Sequence, residues 1–329
     1  MEGDAESMTG SGSAATATPH REFGTRKVRT RIHGADAMFT WERQRAHRSL
    51  VDVLEELVPP RSEGSARLVV GARRGNTFTY RLSGDSSLGE DTLRAWRSGT
   101  AGHVARHFAA AGRALLDLSA CPASDRPLPP PLGAWQIRTW LRRAGSGTEG
   151  ETAARVRLRE ALLSTAGKAR ARTLEEWVDQ LVEAPGGQGL LHGEYSVSAM
   201  VRDRHGGDMA VFFGETVCRG PIEYDAGWLV GELAEWSDVS QPGVEGTTTG
   251  LGGPASAFLR PLSDLDLGLL GRVVVLRRLM HVIDYVSAFG WSDLLDPYVA
   301  LMPELVDSGG MSTLSRIGWD ADVADRLPS

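Results

Sequence analysis

Lysine is nearly absent from this 329-residue chain. Only Lys27 and Lys168 interrupt a set of 36 basic residues that is otherwise arginine. A guanidinium is a planar fork and not a compact point charge, so chemistry that needs an ammonium group has few places to find one. Cysteine is almost as scarce. Cys121 and Cys218 offer no metal-ligand spacing such as CxxC, and they read as two buried free thiols of a cytoplasmic protein. No apolar run approaches the length that spans a bilayer. Charge of neither sign dominates: a net −6 gives no electrostatic reason to expect nucleic acid or a membrane as partner. What is present, 41% hydrophobic and 24% charged residues, is ordinary for a globular protein large enough for two lobes. There is no internal repeat.

The first residues, 1–21, are polar and small and lack the apolar core of a signal peptide, which predicts a disordered tail. "RKVRTRIHG" (26–34) alternates as a half-exposed strand does. Thr40 can cap a helix starting at Trp41, and Ala46, Leu50, Val53, Leu54 and Leu57 continue it at helical spacing until "VPPRSEG". "ARLVVGA" (66–72) and "NTFTYRLS" (76–83) are β-rich and predict a hairpin through Arg73, Arg74 and Gly75. Residues 22–83 therefore read as a first lobe of strands plus one helix. Its sheet should be incomplete, because about 20 residues before the helix are too few for three ordinary strands. "GDSSLGED" (84–91) reads as a polar connector at the lobe boundary. Beyond it, 84–329 is mainly helical: patterns at 104–118, 153–165, 174–182 and 262–289, then a shorter one from Ser292. Two short strands, "SAMVRD" and "MAVFF", flank the turn at 204–208.

"LLHGEYSVSAMV…MAVFFGETVCRGPIEYDAGWLVGEL" resembles the catalytic segment of the aminoglycoside phosphotransferase and choline kinase-like superfamily. That family's pattern runs HGDxxxxN, then an apolar strand ending in Asp, then a P.YD.aWLL stretch. The likeness covers about 190–235, is fainter over 103–120, and extends to the first lobe only in the order of elements. It implies an α+β, protein kinase-like two-lobe fold with a reduced N-lobe and a mainly helical C-lobe.

In phosphoryl transfer the protein positions ATP, neutralises its phosphates with Mg²⁺ and orients the attacking hydroxyl. By the resemblance, Glu194 stands in place of the loop acid. One extra methylene moves its carboxylate by roughly 1 Å, enough to matter for in-line geometry. Two roles follow for it: base or orienter of the hydroxyl, or a hydrogen-bonded cap in a loop kept for folding. His192 is likewise a catalytic candidate or a structural hydrogen-bonder. Gly193 and Asp225 match motif positions that shape and brace the loop. The metal positions depart from the family: Ala199 replaces the Mg²⁺-binding Asn, and Phe213 (or Phe212, if Phe213-Gly214 is aligned as the FG of a DFG motif) replaces the Asp. Glu215 is the nearest acid, and two roles follow for it: a substitute metal ligand, since hard cations need oxygen ligands, or a structural cap. Lys27 is the one lysine placed to meet a nucleotide, with Arg29 or Arg31 as replacements of different geometry. "TGSGS" (9–13) reads as linker in preference to a phosphate loop.

The "HGE" loop and "PIEYDAGWLVGEL" further resemble the kinase-like proteins of class V lanthipeptide and thioamitide biosynthesis. That resemblance implies a ribosomal precursor peptide whose Ser and Thr are phosphorylated and then dehydrated, a lyase-type partner protein, and ATP with Mg²⁺. Three readings stay open: an active peptide kinase using Glu194, a pseudokinase scaffold for peptide and lyase, and a degenerate small-molecule phosphotransferase. The missing Asn and Asp predict weak or absent Mg²⁺-dependent ATP binding by the isolated chain. The arginines of the first lobe, Arg73 and Arg74 foremost, are the candidate peptide-binding groups, because guanidinium forks take carboxylates in bidentate fashion.

Overall fold

The computed structural model describes residues 20–25, 27–34, 38–46, 58, 61–121, 128–143, 152–183, 189–202, 209–239 and 251–317. Most of the expected tail and the "TGSGS" stretch lie outside them. The first lobe contains β1 (Arg21–Gly24), β2 (Val28–His33), β3 (Phe39–Arg45), β4 (Arg67–Val70), β5 (Ala72–Arg74) and β6 (Thr77–Leu82). Five of these form an antiparallel sheet in the order β1-β2-β3-β6-β5. The lobe is small, as expected, but its sheet is not the incomplete one that the sequence suggested.

The difference lies in β3. Phe39, Trp41, Arg43 and Arg45 are buried while Thr40, Glu42 and Gln44 face outward, a period of two that makes a strand where a helix from Trp41 was expected. Two of the four inward positions are arginines, so the apolar pattern alone does not reveal the alternation. Residues 47–57 of the expected helix lie outside the described residues. The hairpin also differs: β5 and β6 pair around Gly75 and Asn76, while β4 leaves them and joins another sheet.

The polar connector turns out to start a helix, α1 (Leu88–Arg97). The Ser87 hydroxyl accepts from the Glu90 N–H, the Glu90 carboxylate accepts from the Ser87 N–H, and the acids of the first turn favour the helix N-terminus. Then follow α2 (Ala105–Ser119), α3 (Leu132–Arg142) and α4 (Ala153–Val182). The last of these joins the two helices expected at 153–165 and 174–182 across a break at Gly167. A strand-rich insert holds β7 (Gly189–Leu191), β8 (Met200–Arg202), β9 (Met209–Phe213) and β10 (Cys218–Gly220). The chain ends its described part with α5 (Ile222–Val239), α6 (Gly252–Leu259), α7 (Leu267–Phe289), α8 (Asp296–Asp307) and α9 (Met311–Arg316). Here β10 pairs with β7, and β9 lies between β8 and the first-lobe strand β4, antiparallel to the former and parallel to the latter.

Two cores support the helical lobe. One gathers Phe108, Leu115, Phe213, Leu229, Leu233 and Phe258 from α2, β9, α5 and α6. The other gathers Trp140, Leu162, Val178, Leu276 and Leu305 from α3, α4, α7 and α8. A third cluster joins the lobes: Ile32, Trp41, Tyr80 and Leu82 of the first sheet pack on Ala199, Val201, Ala210 and Phe212. Cys218 is buried as expected but Cys121 is only half-buried, and both are free thiols. No helix among the described residues is long and apolar enough to cross a membrane.

Helices α2 and α6 pack tightly at Gly112, where an added Cβ would stand 2.1 Å from the Phe258 carbonyl oxygen. Gly112→Ala must push these helices apart. Overpacking of this kind costs about 1–3 kcal/mol, which urea denaturation will register as a lower midpoint with an unchanged slope.

Candidate functional site

The loop after β7 is shaped by backbone constraints. Gly193 has φ of +90°, and a Cβ there would lie 2.0 Å from the Thr216 carbonyl oxygen, so only glycine fits. Asp225, in the first turn of α5, accepts the N–H groups of His192 at 2.7 Å and Gly193 at 3.0 Å. Its carboxyl is fully buried, and burial pushes its pKa up to about 7 against these hydrogen bonds, which favour the ionised form. The His192 ring is engaged on both sides. Nδ1 accepts the Glu194 N–H at 3.3 Å, so Nε2 carries the proton and donates to the Phe212 carbonyl at 2.6 Å. Burial holds this ring below the ordinary histidine value, hence neutral. Its contacts fix the loop and engage both ring nitrogens, although the residue lines the cleft.

The acids of the site are clamped by β3. Arg45 reaches Glu194 Oε2 at 2.6 Å and Glu215 Oε2 at 2.9 Å with its two terminal nitrogens. Arg43 Nε donates to Glu215 Oε1 at 2.6 Å, and the Tyr80 hydroxyl donates to the same oxygen at 2.9 Å. A further Arg43 nitrogen donates to the Ser198 carbonyl at 3.2 Å. Burial alone would raise the pKa of Glu215 and Glu194. Arg43 and Arg45 outweigh it at Glu215, Arg45 and Lys27 do so at Glu194, and both carboxyls lie below the ordinary glutamate value. Sequence reading placed Arg43 and Arg45 among first-lobe arginines suited to binding carboxylates of a peptide, not at internal ones, and missed Tyr80. All three stand on the inner face of β3 and β6, and the inward alternation of 39–45 and 77–82 was the signal available.

Phe212 fills the space behind the clamp. Its ring lies 4.3 Å from that of Tyr80 and 5.3 Å from that of Trp41, with the Arg43 guanidinium 5.0 Å from its centroid. Aromatic pairs of this kind contribute roughly 0.5–1.5 kcal/mol beyond their buried area. In front of the clamp a cleft of about 320 Å³ remains, lined by Thr25, Lys27, Arg43, Arg45, Glu194 and Glu215 among others. Lys27 sits in the β1–β2 loop and bonds Asp284 of α7 at 2.8 Å and Gln136 of α3 at 3.0 Å. Arg29 and Arg31 pair with Glu22 on the outer side of the sheet. Arg73 and Arg74 lie on the edge strand β5, away from the cleft lining, with Arg73 over the Phe78 ring at 5.8 Å.

A Mg²⁺ ion held in the manner of kinase-type sites does not fit these residues. Ala199 offers no oxygen, and Phe213 is buried within a hydrophobic core. Each Glu215 carboxylate oxygen is already taken by a guanidinium or hydroxyl. No cluster of three or more His, Cys, Asp or Glu among the described residues could hold a metal ion.

A buried His-Gly-Glu loop braced by an aspartate, set beneath a five-stranded sheet, is a phosphotransferase scaffold. The model of the APH phosphotransferase enzyme family matches residues 86–262, more than half of the chain, and the protein belongs to that family. The match begins at Ser86, just beyond β6. Among solved structures, a choline/ethanolamine kinase family protein from Mesorhizobium loti is similar at 12% identity and a TM-score of 0.43, over 96% of this chain and 95% of its own. An ethanolamine kinase of Plasmodium vivax is similar at 12% identity and a TM-score of 0.38, over 88% and 79% respectively. No curated protein matches the chain.

The clamp carries a pH dependence. A carboxylate whose folded pKa lies below its unfolded one adds stability above the unfolded value, near 4.3 for glutamate, and loses it as pH falls through the folded value. Glu215→Gln leaves the buried Arg43 without a carboxylate and Arg45 with Glu194 alone, which costs about 3–5 kcal/mol at pH 7. The difference from wild type should narrow as pH drops below about 4.3, measured by urea denaturation across pH 3–7.

Proposed function

We propose that the protein is a kinase-fold binding subunit in the phosphorylation and dehydration of Ser and Thr in a ribosomal precursor peptide, with phosphate transfer carried by another component. One observation carries the non-catalytic part: Glu215, the acid that the sequence offers as a substitute metal ligand, is saturated by Arg43, Arg45 and Tyr80. Phosphoryl transfer depends on a divalent cation bridging the phosphates, and that cation needs free oxygen ligands. The retained bracing of the loop by Asp225 supports a role that needs shape more than chemistry.

The peptide substrate and the lyase-type partner come from the resemblance of the "HGE" loop, the "GE" at 214–215 and "PIEYDAGWLVGEL" to the kinase-like proteins of lanthipeptide and thioamitide biosynthesis. The first-lobe arginines give the peptide reading little support. Arg29, Arg31, Arg43 and Arg45 are committed to internal carboxylates.

Calorimetric titration of the full chain with ATP, with and without Mg²⁺, tests the non-catalytic part. The expected outcome is no Mg²⁺-dependent binding up to millimolar nucleotide. Micromolar binding abolished by EDTA would overturn it and restore Glu194 as the catalytic base. Dehydration of the precursor with the lyase partner present should require this protein, and should persist in Glu194→Gln provided that variant is shown to be folded.

A further inference from the structure

Along β3 the first lobe meets the second through contacts of unequal strength. At Trp41 the junction is apolar: this ring, Tyr80 and Leu82 pack on Val201, Ala210 and Phe212, and the indole N–H donates to the Gly84 carbonyl at 2.8 Å. At Arg43 and Arg45 it is the clamp, whose pairs with Glu215 join side chains no more than 8% exposed. Beyond Arg45 the Ala46 N–H donates to the Lys27 carbonyl at 2.8 Å, and there Lys27 makes the link. Its ammonium bonds Asp284 of α7 at 2.8 Å and the amide oxygen of Gln136 of α3 at 3.0 Å.

Lys27 is carried on firm backbone. The Thr25 N–H donates to the Val28 carbonyl at 2.8 Å, and the Thr25 hydroxyl accepts the N–H groups of Lys27 at 3.2 Å and Val28 at 3.3 Å. With Ala46 holding its carbonyl, the residue moves with the sheet. Its ion pair is of another kind from the clamp. The Lys27 and Asp284 side chains are 28% and 37% exposed. A pair so open to water adds little stability and weakens with salt. In a chain where all but two of 36 basic residues are arginine, this position holds an ammonium, a strongly hydrated point charge without a donor fork.

Space lies on both sides of the bond. The cleft of about 320 Å³ is on one side, and a second space of about 550 Å³ extends between α3 and α7 on the other. Thr25, Lys27, Arg277 and Asp284 line both, so the bond stands at their boundary.

We infer that Lys27 is a latch: its bond to Asp284 and Gln136 holds the β1–β2 end of the first lobe on the second, and its release lets that end lift and joins the two spaces. The buried clamp stays closed meanwhile, and the apolar contacts at Trp41 act as the fixed end of the movement. Two-lobe proteins commonly open by small rotations of this kind. Release also withdraws the ammonium from Glu194, which it helps to keep ionised. The latch therefore ties the width of the cleft to the charge of its acid. It goes beyond the proposed binding role and holds whether or not the cleft transfers phosphate.

The test needs no ligand. Nitroxide labels on Arg29→Cys in β2 and Phe289→Cys in α7, both exposed positions, report the separation by double electron–electron resonance in a Cys121→Ser background. Cys218 is buried and stays unlabelled. At low salt this labelled parent should give one narrow distance. Lys27→Met and Asp284→Asn should each lengthen it by several ångströms and broaden it, and molar salt should do the same to the parent. Arg73→Ala/Arg74→Ala, on the opposite edge strand β5, should leave it unchanged. Urea midpoints of the two latch variants should stay close to the parent's, because an exposed pair adds little. A large fall in midpoint would make Lys27 a structural brace and overturn the inference. Unchanged distances in Lys27→Met, or the same distance at low and molar salt, would overturn it too. Mg²⁺-dependent ATP binding would remove the non-catalytic reading and leave the latch standing.

Discussion

The Arg45 guanidinium, set between two carboxylates, is the contact on which the site depends. It stands on a first-lobe strand, and Glu194 and Glu215 stand on the second lobe, so one buried cation joins the lobes at the floor of the cleft. A charge taken out of water is tolerated only when paired and hydrogen-bonded. Here Arg43 and the Tyr80 hydroxyl complete the pairing. The aromatic cluster around Phe212 follows from the same arrangement. Once Arg43 is drawn down to Glu215, its flat face covers the Phe212 ring and the space behind it closes.

The loop keeps its form for reasons separate from chemistry. Asp225 accepts two backbone N–H groups, His192 donates to the Phe212 carbonyl, and Gly193 passes under Thr216 where no side chain fits. Each of these contacts would be needed by any protein with this turn, active or not. That is why the loop can keep its form around Ala199 and Phe213, whose side chains offer a metal no oxygen ligand.

The second lobe was largely legible because its signals are local. The spacing of Val104, Phe108, Leu115 and Leu118 gives α2, and the motif "HGE" with "PIEYDAGWLV" gives the loop and its brace. The first lobe was less legible because its inward face carries charge. Arg43 and Arg45 belong to the buried side of β3, but an arginine counts as surface in any apolar pattern, and only partners near 194 and 215 make its burial favourable. The capping box at Ser87 and Glu90 was readable and went unread inside a run of polar residues. The joining of 153–165 with 174–182 was illegible for another reason: the two helical patterns follow each other in space across a backbone break at Gly167 that no periodicity spans.

The parallel pairing of β4 with β9 bears on how the chain acquires its structure. Arg67 finds Ala210 and Val70 finds Phe213, so a strand made early must wait for one made far later. Contacts of such long range are slow to form because the loop between them must close first. The five-stranded sheet can assemble from near neighbours, but its junction with β4 stays unpaired until the insert emerges. During synthesis the first lobe therefore carries an open strand edge, the kind of surface that chaperones cover and that invites misassembly. A fragment ending near residue 84 would keep that edge permanently.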